Sequence, residues 1–234
     1  MSAVFAREFR SYFKSPLGYV FVGAVCLFTG LYFYAYNLYG GEPTLSRLYS
    51  VLFSVVLFLI PILTMRLLSE DMRAKTDQLL MTAPVSSAAV AVGKYLAALT
   101  VYAIAISSTL LDAAVLSRFA DVGWAQVAGN FVGLLLLGGA LIAVCLFLSS
   151  LTESQLIAAV GGFLVSILLI LLEALSPLVS NPLIKQVFQW LNFSTRYQPF
   201  TYGVFALENA VFFLSVAALF VALTVMRLER RRWG

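Results

Sequence analysis

The sequence predicts an all-α membrane protein with six transmembrane helices. Apolar residues make up 62% of its 234 residues and charged residues only 11%, against about 45–50% and 25% in soluble proteins. So few charges cannot cover a water-facing surface, and the outside of the protein must therefore face lipid. Six apolar stretches also have the length of about 20 residues that crosses the hydrocarbon core of a bilayer.

One domain, residues 1–234, holds all six spans. Outside the spans we expect an amphipathic surface helix at residues 2–15 and a long loop at residues 66–94 on one side. On the other side we expect a segment at residues 176–206 that contains a short amphipathic helix at residues 183–191. The apolar face of the surface helix carries Phe5, Phe9, Tyr12 and Phe13. The expected spans are residues 17–38, 46–65, 95–116, 127–149, 156–175 and 207–227.

The distribution of Lys and Arg predicts the orientation. One side holds Arg7, Arg10, Lys14, Arg66, Arg73, Lys75, Lys94, Arg227, Arg230, Arg231 and Arg232. The other side holds only Arg47, Arg118, Lys185 and Arg196. Because cationic loops remain in the cytoplasm, we expect both termini to be cytoplasmic and the protein to lie in the cell inner (cytoplasmic) membrane. The net charge of +4 therefore reflects topology, and no nucleic-acid partner is expected.

Several classes of chemistry are excluded. The chain has no histidine, which rules out Ser-His-Asp catalysis and imidazole-bound metals. Cys26 and Cys145 lie in apolar runs, as small buried hydrophobic residues do. Gly93-Lys94 does not form a phosphate-binding loop, because Ala88 stands where the first glycine is required. We therefore expect neither an enzyme nor a cofactor bound to this chain.

Some features within and near the spans have open roles. Pro61 should kink the second span or end its regular hydrogen bonding. Gly129 and Gly133 allow close helix packing, either within one subunit or between subunits. Three acids lie near the outer ends of spans: Asp112, Glu173 and Glu208. They either have a functional role or are simply solvated or cap a helix.

The loop at residues 66–94 combines charges with an apolar stripe. Its first half has helical spacing, and Ser86 or Ser87 can cap the helix that leads into the third span. The apolar stripe packs either on the protein's own spans or on a cytoplasmic partner. The short connection at residues 149–155 carries Glu153, which is either a helix cap or a second partner contact.

This loop resembles the first cytoplasmic loop of the exporter permeases of the second ABC superfamily, which have the type V transmembrane fold. The matching residues are Glu70, Arg73, Thr76, Leu79, Leu80, Thr82, Pro84, Ser86, Gly93 and Lys94. Lys75 and Gln78 depart from the glycine and glutamate that are common there. The size and aromatic-rich start are most similar to the gliding-motility and copper-site-maturation branch.

The resemblance implies a permease subunit that pairs with a second permease subunit, as a homodimer, above two ATP-binding-cassette ATPase subunits. These partners would hold ATP and magnesium, and an extracytoplasmic accessory protein could join them. The loop at residues 66–84 would seat a coupling helix in the ATPase. The residues implied in coupling are Glu70, Asp71, Arg73, Thr76, Leu79, Leu80, Pro84 and Glu153.

Two other readings start from different features. A secondary transporter or channel would need no ATPase, but it would call for charged residues or unwound helices near the middle of the membrane. An intramembrane lipid enzyme would require clustered acids, and the cluster formed by Glu70, Asp71 and Asp77 has the spacing of a solvated face.

Overall fold

A computed structural model describes residues 2–76, 85–175, 186, 188 and 190–233, without the side chains of residues 232 and 233. Within these ranges the regular structure is helical and contains no strand. The helices are α1 Ser2–Lys14, α2 Pro16–Phe33 with a π-helical extension Tyr34–Tyr39, α3 Ser46–Thr64, α4 Ser69–Arg73, α5 Ser87–Ile106, α6 Ser108–Leu116, α7 Trp124–Ser149, α8 Gln155–Leu175, α9 Phe193–Thr201 and α10 Leu207–Trp233.

Six helical stretches are long and apolar enough to cross a membrane, which confirms the predicted all-α membrane fold. They are Pro16–Tyr39, Ser46–Arg73, Ser87–Leu116, Trp124–Ser149, Gln155–Leu175 and Leu207–Arg231. The third stretch starts well before residue 95, because Ser86 caps it by accepting a hydrogen bond from the Ala89 amide at 3.2 Å. The chain is therefore a multi-pass membrane protein.

The fourth span, α7, lies at the centre of the bundle and contacts α3, α5, α8, α9 and α10. Glycines permit this crowding. A Cβ added to Gly133 would lie 2.5 Å from the Cβ of Phe200 in α9, and one added to Gly129 would lie 3.5 Å from the Cα of Gly203. Both glycines of the predicted small-residue pair thus pack within the subunit.

Pro61 lies inside α3 and organises its contact with α8. Proline has no amide hydrogen, so the carbonyl of Leu57 one turn earlier loses its helical partner. The Ser166 hydroxyl of α8 donates to that carbonyl at 2.5 Å. One turn before Ser166, Gly162 sits so close that an added Cβ would lie 2.8 Å from the Cβ of Pro61.

The predicted N-terminal helix is present, and a short helix, α9, lies in the segment before the last span. Helix α1 buries Val4 and Tyr12 against the protein, so part of its apolar surface is not available to lipid. Helix α9 follows Asn192, whose side chain accepts hydrogen bonds from the amides of Ser194 and Thr195. The amphipathic stretch expected at residues 183–191 lies largely outside the described residues.

The ion pairs of the described residues lie at the two ends of the bundle. At one end, Glu153 pairs with Arg231 at 3.4 Å, and Lys94 meets acids of the N-terminal segments. We call it the Lys94 end. At the opposite end, Glu42 pairs with Arg47 at 2.6 Å. The first and last helices both reach the Lys94 end, as an even number of spans requires.

Candidate functional site

A buried lysine joins three segments at the Lys94 end. Only 2% of Lys94 is exposed. Its ammonium group lies 3.1 Å from the Glu8 carboxylate of α1 and 2.7 Å from the Asp71 carboxylate of α4. It also donates to the Leu67 carbonyl at 2.5 Å. The ammonium group therefore has two carboxylates and one backbone carbonyl within 3.1 Å, and its hydrogen bond goes to the carbonyl.

The residue before this lysine explains how α1 comes close enough. A Cβ added to Gly93 would lie 3.0 Å from a methyl carbon of Val4. The absence of a side chain at position 93 lets α1 rest directly on α5. Val4, Glu8 and Tyr12 follow at intervals of four and share one face of α1. The buried Val4 and Tyr12 therefore bring Glu8 to Lys94.

Arg66 holds the C-terminal end of α1. Its guanidinium donates to the Ser11 carbonyl at 3.1 Å and lies 5.1 Å from the centre of the Tyr12 ring. A cation at a helix C-terminus is stabilised by the helix dipole. The Tyr12 hydroxyl donates to the Leu63 carbonyl at 3.0 Å. Burial raises the pKa of Tyr12, so this donor keeps its proton at neutral pH.

Arg7 completes the charge balance of the cluster. It contacts Glu8 at 2.7 Å and Asp71 at 3.7 Å. Burial disfavours its charge, but the hydrogen bond to Glu8 and the charges of Glu8 and Asp71 outweigh that effect and raise the pKa of Arg7. Two cations and two carboxylates thus form a neutral cluster around Lys94.

Helix α4 has only five residues, and the fourth span anchors its start. The Ser149 hydroxyl accepts hydrogen bonds from the amides of Leu68 and Ser69, each at 3.1 Å, and donates to the Met65 carbonyl at 3.2 Å. These amides belong to the first turn of α4, where a helix lacks its own acceptors. The end of α7 therefore fixes where α4 begins.

The end of α4 is fixed by Asp71 and by an unusual backbone. Thr76 donates to the Asp71 carboxylate at 3.0 Å. Lys75 has φ of +54°, a left-handed conformation that glycine usually adopts after a helix. The permeases that this loop resembles commonly have glycine at this position. The lysine that replaces it here therefore has a strained backbone.

The described residues implied in coupling divide into an outward-facing and an inward-facing group. Glu70, with 52% of its side chain exposed, and Arg73 face outward. Asp71, with 16% exposed, turns inward to Lys94. Glu153 is 67% exposed and pairs with Arg231. Leu79, Leu80 and Pro84 lie outside the described residues.

The three acids with open roles lie away from this cluster. Asp112 is half-buried in α6. Glu173 accepts a hydrogen bond from Ser194 at 2.7 Å. Glu208, at the start of α10, lies 4.0 Å from Arg196. The latter two therefore have polar partners at the opposite end of the bundle.

Sequence reasoning missed Glu8 and Ser149, and it treated Lys94 only as part of a motif and as one of the cations that predict the orientation. Glu8 could have been found from its four-residue spacing to Val4 and Tyr12, but the aromatic residues on the neighbouring arc gave the stronger pattern. No local pattern marks Ser149, because its partners lie about 80 residues away along the chain.

The cluster joins α1, α4 and α5 through ion pairs and a hydrogen bond. Within the described ranges, no group of three or more His, Cys, Asp or Glu residues could hold a metal ion. The sequence matches no protein-family model and no curated protein.

Proposed function

We propose that this chain is the membrane subunit of an ATP-driven ABC transporter, moved by separate ATPase subunits that bind at the Lys94 end. One observation carries the proposal. Helix α4 presents Glu70 and Arg73 outward, while its inner side is bound through Asp71 to the buried Lys94. A short charged helix with an exposed face and a rigid base suits a coupling helix.

The bonds of α4 supply a route for force. A five-residue helix held only by its chain would bend when pushed. Here α4 is bonded to α5 through Lys94, to α1 through Lys94 and Glu8, and to α7 through Ser149. It also contacts α8. A push on α4 would therefore move the ends of several spans together, as a rigid-body switch requires.

The remaining parts of the proposal follow from the resemblance. A second copy of the chain would complete the export pathway or the mechanical relay, and ATP and magnesium would bind in the ATPase subunits. The residues around Glu153 would form a lesser contact. The excess of Lys and Arg at the Lys94 end supports a cytoplasmic position for both termini.

The test replaces the outward charges of α4. We expect an ATPase subunit to co-purify with the tagged chain from mild detergent. ATP should then change the fluorescence of a dye placed at the opposite end through Phe119→Cys, in a chain whose native cysteines are replaced. The double variant Glu70→Ala/Arg73→Ala should insert normally and keep ATP hydrolysis, but lose this response.

The matched control is Glu42→Ala/Arg47→Ala, which removes the same two residue types from the opposite end. This control should retain the ATP response. The proposal fails if the Glu70→Ala/Arg73→Ala variant also responds normally. It fails equally if the purified chain moves solutes in vesicles with neither nucleotide nor an associated hydrolase.

A further inference from the structure

An apolar groove is lined by side chains of the last three spans. Its volume is about 610 Å³, and side chains of α7, α8 and α10 line it, among them Leu141, Phe147, Leu169 and Phe220. Of the described residues in its lining, only Ser215 carries a hydroxyl. The groove opens between helices that cross the membrane, so its walls suit an acyl chain.

A second cavity extends this groove at the opposite end from Lys94. It measures about 520 Å³ and shares Trp190, Phe212 and Ser215 with the first. Its lining adds Arg196 and Glu208. We call the two cavities together the α10 groove. It is apolar along the membrane and carries one cation and one anion at its mouth.

The two charges at the mouth are held differently. Arg196, with 20% of its side chain exposed, donates to the Asn209 side chain at 3.2 Å and lies 5.5 Å from the centre of the Phe212 ring. Glu208 is 90% exposed and lies 4.0 Å from Arg196. The cation is therefore fixed against the groove, while the carboxylate can turn toward a ligand.

We propose that the α10 groove binds a phosphatidylethanolamine molecule from the leaflet opposite the Lys94 end. An acyl chain would lie between α7, α8 and α10. The phosphate would meet Arg196, and the ammonium group would donate to Glu208. This headgroup carries one anion and one cation, which complements the charge pair at the mouth.

Other occupants match the groove less well. Phosphatidylglycerol offers no cation to Glu208. The quaternary ammonium of phosphatidylcholine has no N–H to donate. An apolar helix of a second copy would fill the apolar walls but would offer no phosphate to Arg196 and no ammonium group to Glu208.

The first experiment blocks the groove. The purified full chain is incubated with equimolar phosphatidylethanolamine and phosphatidylglycerol, and bound lipid is measured by native mass spectrometry. Wild type should retain mainly phosphatidylethanolamine. Ser215→Phe should lower its retention about tenfold. Leu214→Phe adds a ring beside the groove, at a residue that lines neither cavity, and should retain lipid as wild type does.

The second experiment tests the headgroup. Glu208→Gln keeps the shape of an exposed side chain and should abolish the preference for phosphatidylethanolamine over phosphatidylglycerol. Equal retention by Ser215→Phe and Leu214→Phe would overturn the proposal. An unchanged preference for phosphatidylethanolamine in Glu208→Gln would also overturn it. So would a wild-type protein that purifies as a dimer without bound lipid.

Discussion

Lys94 carries its charge into a site that water scarcely reaches. Removing one partner of a buried ion pair leaves the other charge uncompensated, which costs about 3–5 kcal/mol. The Glu8 and Asp71 side chains keep 13% and 16% of their surface exposed. Because water can therefore screen the two carboxylates in part, we expect the cost of losing Lys94 to lie at the lower end of this range.

We expect Lys94→Met to lower the free energy of unfolding by about 3 kcal/mol. Adding Asp71→Asn should recover part of the loss, because it removes one uncompensated negative charge. Unfolding in a titration with SDS measures both variants. Lys14→Met removes an exposed cation of α1 and should change stability by less than about 0.5 kcal/mol. Equal effects of Lys94→Met and Lys14→Met would contradict the role given to the ion pairs.

Lys75 offers a test of backbone strain. A left-handed conformation costs a non-glycine residue about 1–2 kcal/mol, and a β-branched side chain suffers most. We expect Lys75→Val to lower Tm and Lys75→Gly to keep or raise it, because glycine adopts positive φ freely. Both variants remove the same exposed charge, so thermal unfolding compares backbone effects alone. A lower Tm for the glycine variant than for the valine variant would refute the strain.

At the scale of elements, apolar length was sufficient to predict all six membrane helices. It did not fix their ends, because a helix can continue beyond the hydrocarbon core. The third helix shows this, since it starts at Ser87 and already contains Lys94. The periodicity of α1 predicted a helix correctly. It could not show which part of the apolar face meets protein, because that depends on the glycine at position 93.

The docking of α8 on α3 gives a prediction about one element. We expect Ser166→Ala to destabilise the protein by about 0.6–1.7 kcal/mol, because the Leu57 carbonyl freed by Pro61 loses its donor. Gly162→Leu should cost more, since its side chain would collide with Pro61. Gly161→Leu is the control for added bulk, because position 161 has only ordinary contact with Leu148. Thermal unfolding of the three variants should rank Gly162→Leu lowest, and equal Tm values for both leucine variants would exclude the close contact.

At the scale of the whole molecule, the candidate site was predictable only in part. The charged loop and its outward residues, such as Glu70 and Arg73, stand out because charges are rare in this chain. The inward network is different. It forms from Glu8, Asp71 and Lys94, which lie apart in sequence and meet only when three helices, α1, α4 and α5, pack together. No local pattern in a single sequence indicates that these residues contact one another.

The arrangement of the molecule in the membrane yields the last prediction. Cationic segments collect at the Lys94 end, and cations resist transfer out of the cytoplasm during insertion. In a chain without its native cysteines, we expect a membrane-impermeant thiol reagent to label Phe119→Cys in intact cells. It should label Ser2→Cys and Arg230→Cys only after the membrane is opened. All three residues are exposed, so accessibility in the opened sample serves as the control. Labelling of Ser2→Cys in intact cells would show the opposite orientation. The Lys94 end would then not face the cytoplasm, where an ATPase would have to bind.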